Sequence, residues 1–336
     1  MTGTIYLYGI HVYNDSNNIT NNFILVDSIR YANGIAIESY GNYNVLRNNT
    51  IIINTKNDTI DDEGLVDAAY GIMITEYDYH GGKYTKTSSG SSNNVIDGNT
   101  ITGYSTNMYA IETFGGTSTT ISNNNIDVKG SSTIGIATIG GLSQITNNNI
   151  RVVGDNNATH PSPDYLKPQT TGIYLYQGVG NTVSGNTISS DHGTGVTTEN
   201  EDSLTISSND INVLNNAVGI HSINSIGTTT INNNTIAGKM LTQIINILGK
   251  GDGIISENNY NPEAQQVPDD DTTQQNETTQ PSEEDTNTTT PETNKTETPD
   301  EDGDEPYLDP VQPSYPIEPD TNQTDEPENN QTQIPE

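Results

Sequence analysis

Of the twelve acids in the first third of the chain, seven could do chemistry together: Glu38, Asp61, Asp62, Glu63, Glu76, Asp78 and Glu112. Two chemistries suit them. A pair such as Glu38 and Glu112 could act as acid and base on a glycosidic bond, provided the two carboxyl groups stand about 5–10 Å apart. Asp61, Asp62, Glu63 and Asp78 offer the hard oxygen ligands that a weak Ca²⁺ site needs. The reading that the sequence favours is plainer, a solvated acidic patch with no catalytic residue and no resident cofactor. Cysteine is absent. The five histidines never fall at H-x-x-x-H spacing, so no thiolate or paired-imidazole metal site is expected. A second group, Tyr13, Phe114, Tyr174, Tyr176 and His221, carries rings that can stack on sugars. Aromatics also suit β-surfaces for packing reasons alone.

Whether these residues meet depends on the elements that carry them. One pattern recurs nine times: an aliphatic residue, two polar residues, Asn, any residue, then Ile, as in Ile145-to-Ile150 and Ile206-to-Ile211. In the ninth copy Tyr260 replaces the last Ile. The asparagines are Asn22, Asn49, Asn99, Asn124, Asn148, Asn186, Asn209, Asn234 and Asn258, and most are separated by 23 to 27 residues. Upstream of most copies lies a short strand opening Gly-Ile or Gly-Val, from Gly9-Ile10 to Gly219-Ile220. Ala110-Ile111 takes that slot in the fourth copy, and Ile245-Asn246-Ile247 in the ninth.

A period of this length marks a solenoid. No copy carries a helical period, and Ile rather than Leu fills the apolar slots. Each copy therefore reads as three short strands with polar corners. The fold expected is all-β, a single-stranded right-handed parallel β-helix of about nine rungs over residues 1–260. Inward Ile and Val stack in columns, and the corner asparagines form a ladder that satisfies buried backbone groups.

Alternation along the Gly-Ile strands places His11, Tyr13, Glu38, Glu112, Phe114, Tyr174, Tyr176, Glu199 and His221 on the outer face of one sheet, open to solvent. Glu38 and Glu112 fall two rungs apart, roughly 10 Å by strand spacing, just beyond the carboxyl separation typical of inverting glycosidases. Insertions at 55–67, 77–91 and 155–168 border that face.

Residues 261–336 hold 12 of the 15 prolines and sparse apolar residues. They form an acidic Thr/Pro/Asn-rich stretch expected to be disordered, a tail or stalk. The net charge of -33 disfavours nucleic acid and anionic membrane as partners. No apolar run is long enough to span a bilayer. Glycans or cell-surface components are the expected partners of a monomer that works outside the cell. The first residues lack a signal peptide's basic and apolar regions, which points to sequence upstream or another export route.

The rungs Gly172-Ile173-Tyr174-Leu175 and Val183-Ser184-Gly185-Asn186-Thr187-Ile188 resemble the right-handed β-helix repeats of the pectate-lyase-like superfamily. Joined to the Thr/Pro/acid tail, the Asn-, Ile- and Tyr-rich version looks most like the adhesin-like surface proteins of methanogenic archaea. That resemblance implies a non-catalytic adhesin binding glycans or neighbouring cells. The superfamily also contains lyases, hydrolases and epimerases, so a polysaccharide-active enzyme is the alternative and a structural envelope spacer the third reading. Of the polygalacturonase-type motifs only Asp61-Asp62 is matched. No arginine falls on the proposed face, as the lyase pattern would require.

Overall fold

The structure, a computed structural model, describes residues 7–28, 32–38, 41–55, 68–80, 83–86, 91–154, 170–215, 218–238, 244–249 and 251–261. The side chains of 77–80 and 83–86 are not part of that description. The chain falls into two units, Met1–Asp270 and Asp271–Glu336. The second unit, with the tail expected from the sequence, lies outside the described residues.

The first unit is a right-handed parallel β-helix. Its described residues hold three parallel sheets of nine strands each and one two-stranded hairpin. Every rung contributes one strand to each sheet, as in rung five with Ser132–Ile139, Gln144–Thr146 and Asn149–Val153. The first sheet stacks the Gly-Ile strands, from Leu7–Val12 to Ile245–Gly249. At ordinary strand spacing nine rungs make a body roughly 40 Å long. The hairpin pairs Tyr77–His80 with Lys83–Lys86 directly after the first strand of rung three.

Two side-chain rules produce this shape. Register places Ile96, Ile121, Ile145, Val183, Ile206 and Ile231 one above another in the second sheet. Ile101, Ile126, Ile150, Ile188 and Ile211 do the same in the third. With Ile72, Ile111, Ile136, Ile173 and Val196 of the first sheet they close one continuous core. The glycines before the first-sheet Ile mark a close approach. A Cβ at Gly172 would lie 2.3 Å from Ile188 Cγ2 and 2.6 Å from the carbonyl oxygen of Gly195. The same obstruction recurs at Gly34, Gly135 and Gly195.

The corner between the second and third sheets explains the recurring motif. The residue before each ladder asparagine is left-handed, with φ near +55° at Asn21, Asn48, Asn123, Asn147 and Asn233. Asn and Gly tolerate that conformation best, which accounts for the Gly98 and Gly185 variants, both at φ +65. The next residue is the ladder asparagine, buried at seven of the nine levels, Asn49 through Asn234. Its amide donates to the Oδ1 of the following rung in all eight steps from Asn22 to Asn258, at 2.9–3.0 Å.

Candidate functional site

Register sorts the outer face of the first sheet into columns. One runs His11, Ala36, Met73, Glu112, Ala137, Tyr174, Thr197, His221. The neighbouring column runs Thr75, Phe114, Ile139, Tyr176, Glu199 and Ile223, and Glu38 lies just past the end of the rung-two strand, after Ile37. Alternation gives the outward direction correctly but misjudges exposure. Tyr174 is 1% exposed, Glu38 6% and Glu112 7%. The expectation that they face solvent is corrected. Direction away from the main core is not exposure, because this face carries a second apolar cluster of Tyr109, Ile134, Ala137 and Tyr174, with Tyr70 and Tyr176 packed on it.

Glu38 and Glu112 also stand at different positions along their strands. Glu38 follows Ile37, the partner of Ile74, whereas Glu112 pairs with Met73, the partner of Ala36. Two rungs and two residues of offset set their backbones about 12 Å apart by strand spacing and rise.

The two acids also differ in character. Glu112 has no hydrogen bond or ion pair among the described residues, and burial alone pushes its carboxyl up to about 7. Glu38 sits in a polar and aromatic nest at rungs one and two. Its Oε2 lies 3.3 Å from His11 Nε2, without hydrogen-bond alignment, and its Oε1 accepts from the Tyr8 hydroxyl at 3.4 Å. The Tyr8 and His11 rings stack at 4.0 Å and 5°, and Tyr13 leans on His11 at 4.4 Å and 47°. Tyr13 is 44% exposed.

This nest unites Tyr13 and Glu38 from the expected set with His11 and Tyr8. Tyr8 was missed because strict alternation turns it inward with Ile10. The strand pairing passes over Gly9 and Gly34, matching Tyr8 with Asn33 and Ile10 with Ile35, so the alternation breaks there. A glycine inside a strand pattern is the available signal for such a break.

The other expected residues lie further along the face. Phe114 and Tyr176 are half-buried. Tyr174 donates to Glu199 Oε2 at 3.3 Å. Burial, reinforced by the Glu199 charge, raises the Tyr174 and Tyr176 hydroxyls. His221 stands two rungs beyond Tyr174. Its Nε2 is buried without a hydrogen bond, and burial lowers its basicity. Asp61, Asp62 and Glu63 lie outside the described residues, and Asp78 is placed only by its backbone in the hairpin.

The sequence reading also missed a second corner ladder. Asn17 and Asn44 donate to Asn44 and Asn94 at 2.8 and 3.1 Å. Thr119 and Ser143 take the next slots, and Asn181 resumes the series. Asn181 then donates to Glu201, a fully buried acid that also accepts the Gly178 N–H, both at 2.8 Å. Burial pushes the Glu201 carboxyl up to about 7 against those two bonds. The signal was an Asn two residues before the aliphatic of the motif, overlooked because Thr, Ser and Leu interrupt it.

Comparison with known proteins gives a partial family match and distant structural likenesses. The family model described as periplasmic copper-binding protein (NosD) matches residues 150–291. Among solved structures the chain is similar to the GH136 lacto-N-biosidase of Eubacterium ramulus, with 11% identity and a TM-score of 0.38 over 69% of this chain and 51% of that one. It thus spans about half the length of that enzyme. It is also similar to the A-module of the Azotobacter vinelandii mannuronan C-5 epimerase AlgE6, with 12% identity, 75% and 87% coverage and a TM-score of 0.21. Neither likeness speaks to activity. No curated protein matches.

Copper in the NosD family description prompts a test of fit. Copper sites draw on imidazole, thiolate and thioether ligands. The chain has no cysteine. Among the described residues no group of three or more His, Cys, Asp or Glu is gathered. Within the matched segment, His192 follows the third strand of rung six and His221 lies on the first sheet of rung eight. The described residues do not fit a copper centre.

Proposed function

We propose that this chain is a non-catalytic extracellular or cell-surface protein that binds glycans through the outer face of its first sheet, the adhesin-like reading. The observation that carries it is the Tyr8–His11–Tyr13–Glu38 nest. Flat rings suit the apolar faces of a pyranose, and a carboxylate accepts from sugar hydroxyls. The half-buried Phe114 and Tyr176 extend the face along the stack. Glu38 and Glu199 disfavour polyuronates and favour neutral or amino sugars.

The test is a glycan array with the full chain and with Tyr13→Ala. Binding to neutral or amino-sugar glycans that falls at least tenfold in Tyr13→Ala is the expected result. An array without signal, or one indifferent to Tyr13, removes the proposal. A second reading, an enzyme using buried Glu112 as a proton donor, has one observation in its favour, the raised acidity range of that carboxyl. Release of reducing ends or unsaturated products from polysaccharides, abolished by Glu112→Gln, would establish it.

A further inference from the structure

Glu112 is a carboxyl group that the folded chain leaves unanswered. It stands on the outer side of the first sheet at rung four, 7% exposed, with no hydrogen bond or ion pair among the described residues. Glu38 and Glu201 are buried too, but each accepts from protein donors. A carboxylate withdrawn from water without a partner is costly, and burial alone holds this one up to about 7. Near neutral pH it therefore passes between its neutral and charged forms. A cation arriving beside it favours the charged one.

Its surroundings suit such a cation. Register sets Met73 on one side of Glu112 and Ala137 on the other, with Tyr174 one rung further on. Ala137 carries only a methyl group, so no long side chain takes the place beside the carboxyl on that side. Along the strand it is flanked by Tyr109, stacked on Tyr70 at 5.2 Å, and by the half-buried Phe114. Ring faces attract ammonium groups. The strands of the first sheet contain no Lys or Arg, so the sheet itself offers Glu112 no counter-ion.

We propose that Glu112 is the subsite for a free amine on the bound sugar, so that this face selects amino sugars whose nitrogen is unsubstituted. The inference rests on the glycan reading given above and narrows its ligand class. An ammonium brings three charge-assisted donors to a carboxylate, whereas an N-acetyl group brings no charge and one amide donor. The Glu38 backbone in the aromatic nest stands about 12 Å away by strand spacing and rise. A short oligosaccharide spans that distance, one ring stacking in the nest while an amine further along meets Glu112. A lysine of a protein partner carries the same ammonium but has no pyranose face for the nest.

Calorimetric titration of the full chain tests it, at physiological salt to screen the acidic tail. The probes are a chitin tetrasaccharide bearing one free amine, the fully acetylated tetrasaccharide, and a capped peptide with a single lysine. The amine-bearing sugar should bind at least tenfold more tightly than either of the others. Glu112→Gln should shrink its advantage over the acetylated sugar to under twofold. In the wild type, ¹³C NMR of the Glu112 carboxyl should show it moving to its ionised shift with the amine-bearing sugar and not with the acetylated one. If Glu112→Gln loses its β-sheet circular dichroism, that carboxyl signal decides alone. Equal binding of the two sugars, a preference that survives Glu112→Gln, or an unmoved carboxyl overturns the subsite and leaves the glycan reading standing. Peptide binding as tight as that of the amine-bearing sugar overturns the sugar as the source of the amine. Failure of both sugars to bind also overturns the subsite, while the glycan array, with its neutral glycans, decides the wider reading separately.

Discussion

Asn124 Nδ2 lies 2.9 Å from Asn148 Oδ1, and the Asn124 backbone N–H donates to the same oxygen at 3.0 Å. Asn148 in turn donates to Asn186 Oδ1 and to the Ile121 carbonyl, both at 2.9 Å. One side chain therefore serves three rungs, and nothing else within reach replaces it.

Asn148→Ala should lower the free energy of unfolding by about 1–3 kcal/mol, the cost of orphaned buried donors and acceptors. Asn125→Ala removes only an exposed amide contact from Asn149 and should change stability by less than about 0.5 kcal/mol. Urea unfolding of the two variants checks the contrast. Equal losses would mean that the ladder is not what stabilises the corner.

Gly172→Ala should destabilise by about 1–3 kcal/mol, because its Cβ meets Ile188 and the Gly195 carbonyl with no room to relax. The backbone obstructs as firmly as the side chain. A thermal melt indistinguishable from wild type would show that the glycine column reflects composition rather than close approach.

Stability should fall as pH rises from about 4.5 to 7, through two buried acids. Glu112 and Glu201 both hold their protons up to about 7 in the folded chain. The unfolded chain releases them near 4.5, so between those values it binds fewer protons and is favoured by rising pH. Above 7 the penalty is complete. Glu112→Gln should match wild type at pH 4 and exceed it at pH 8 by up to about 3 kcal/mol, the equivalent of that shift. Denaturation at the two pH values decides it, and a constant difference would contradict the assignment.

The fold was legible because its determinants repeat. Ile in register, the Asn in each corner and the glycine before each first-sheet Ile each recur at fixed offsets, and stacking forces them into columns. The candidate site was less legible. Alternation told which way Glu112 and Tyr174 point but not that both are buried, Tyr174 within a second cluster with Tyr109, Ile134 and Ala137. The Tyr8–His11 stack depends on a local break at Gly9, which a period of two cannot show.

The most direct test of glycan recognition on this face is NMR of ring-labelled tyrosines titrated with the oligosaccharide bound best on the array. Tyr8 and Tyr13 should shift in step with saturation, while Tyr43 and Tyr104, exposed at 62% and 53% on other parts of the surface, stay still. Shifts confined to Tyr43 or Tyr104, or spread evenly over all the rings, would contradict the account.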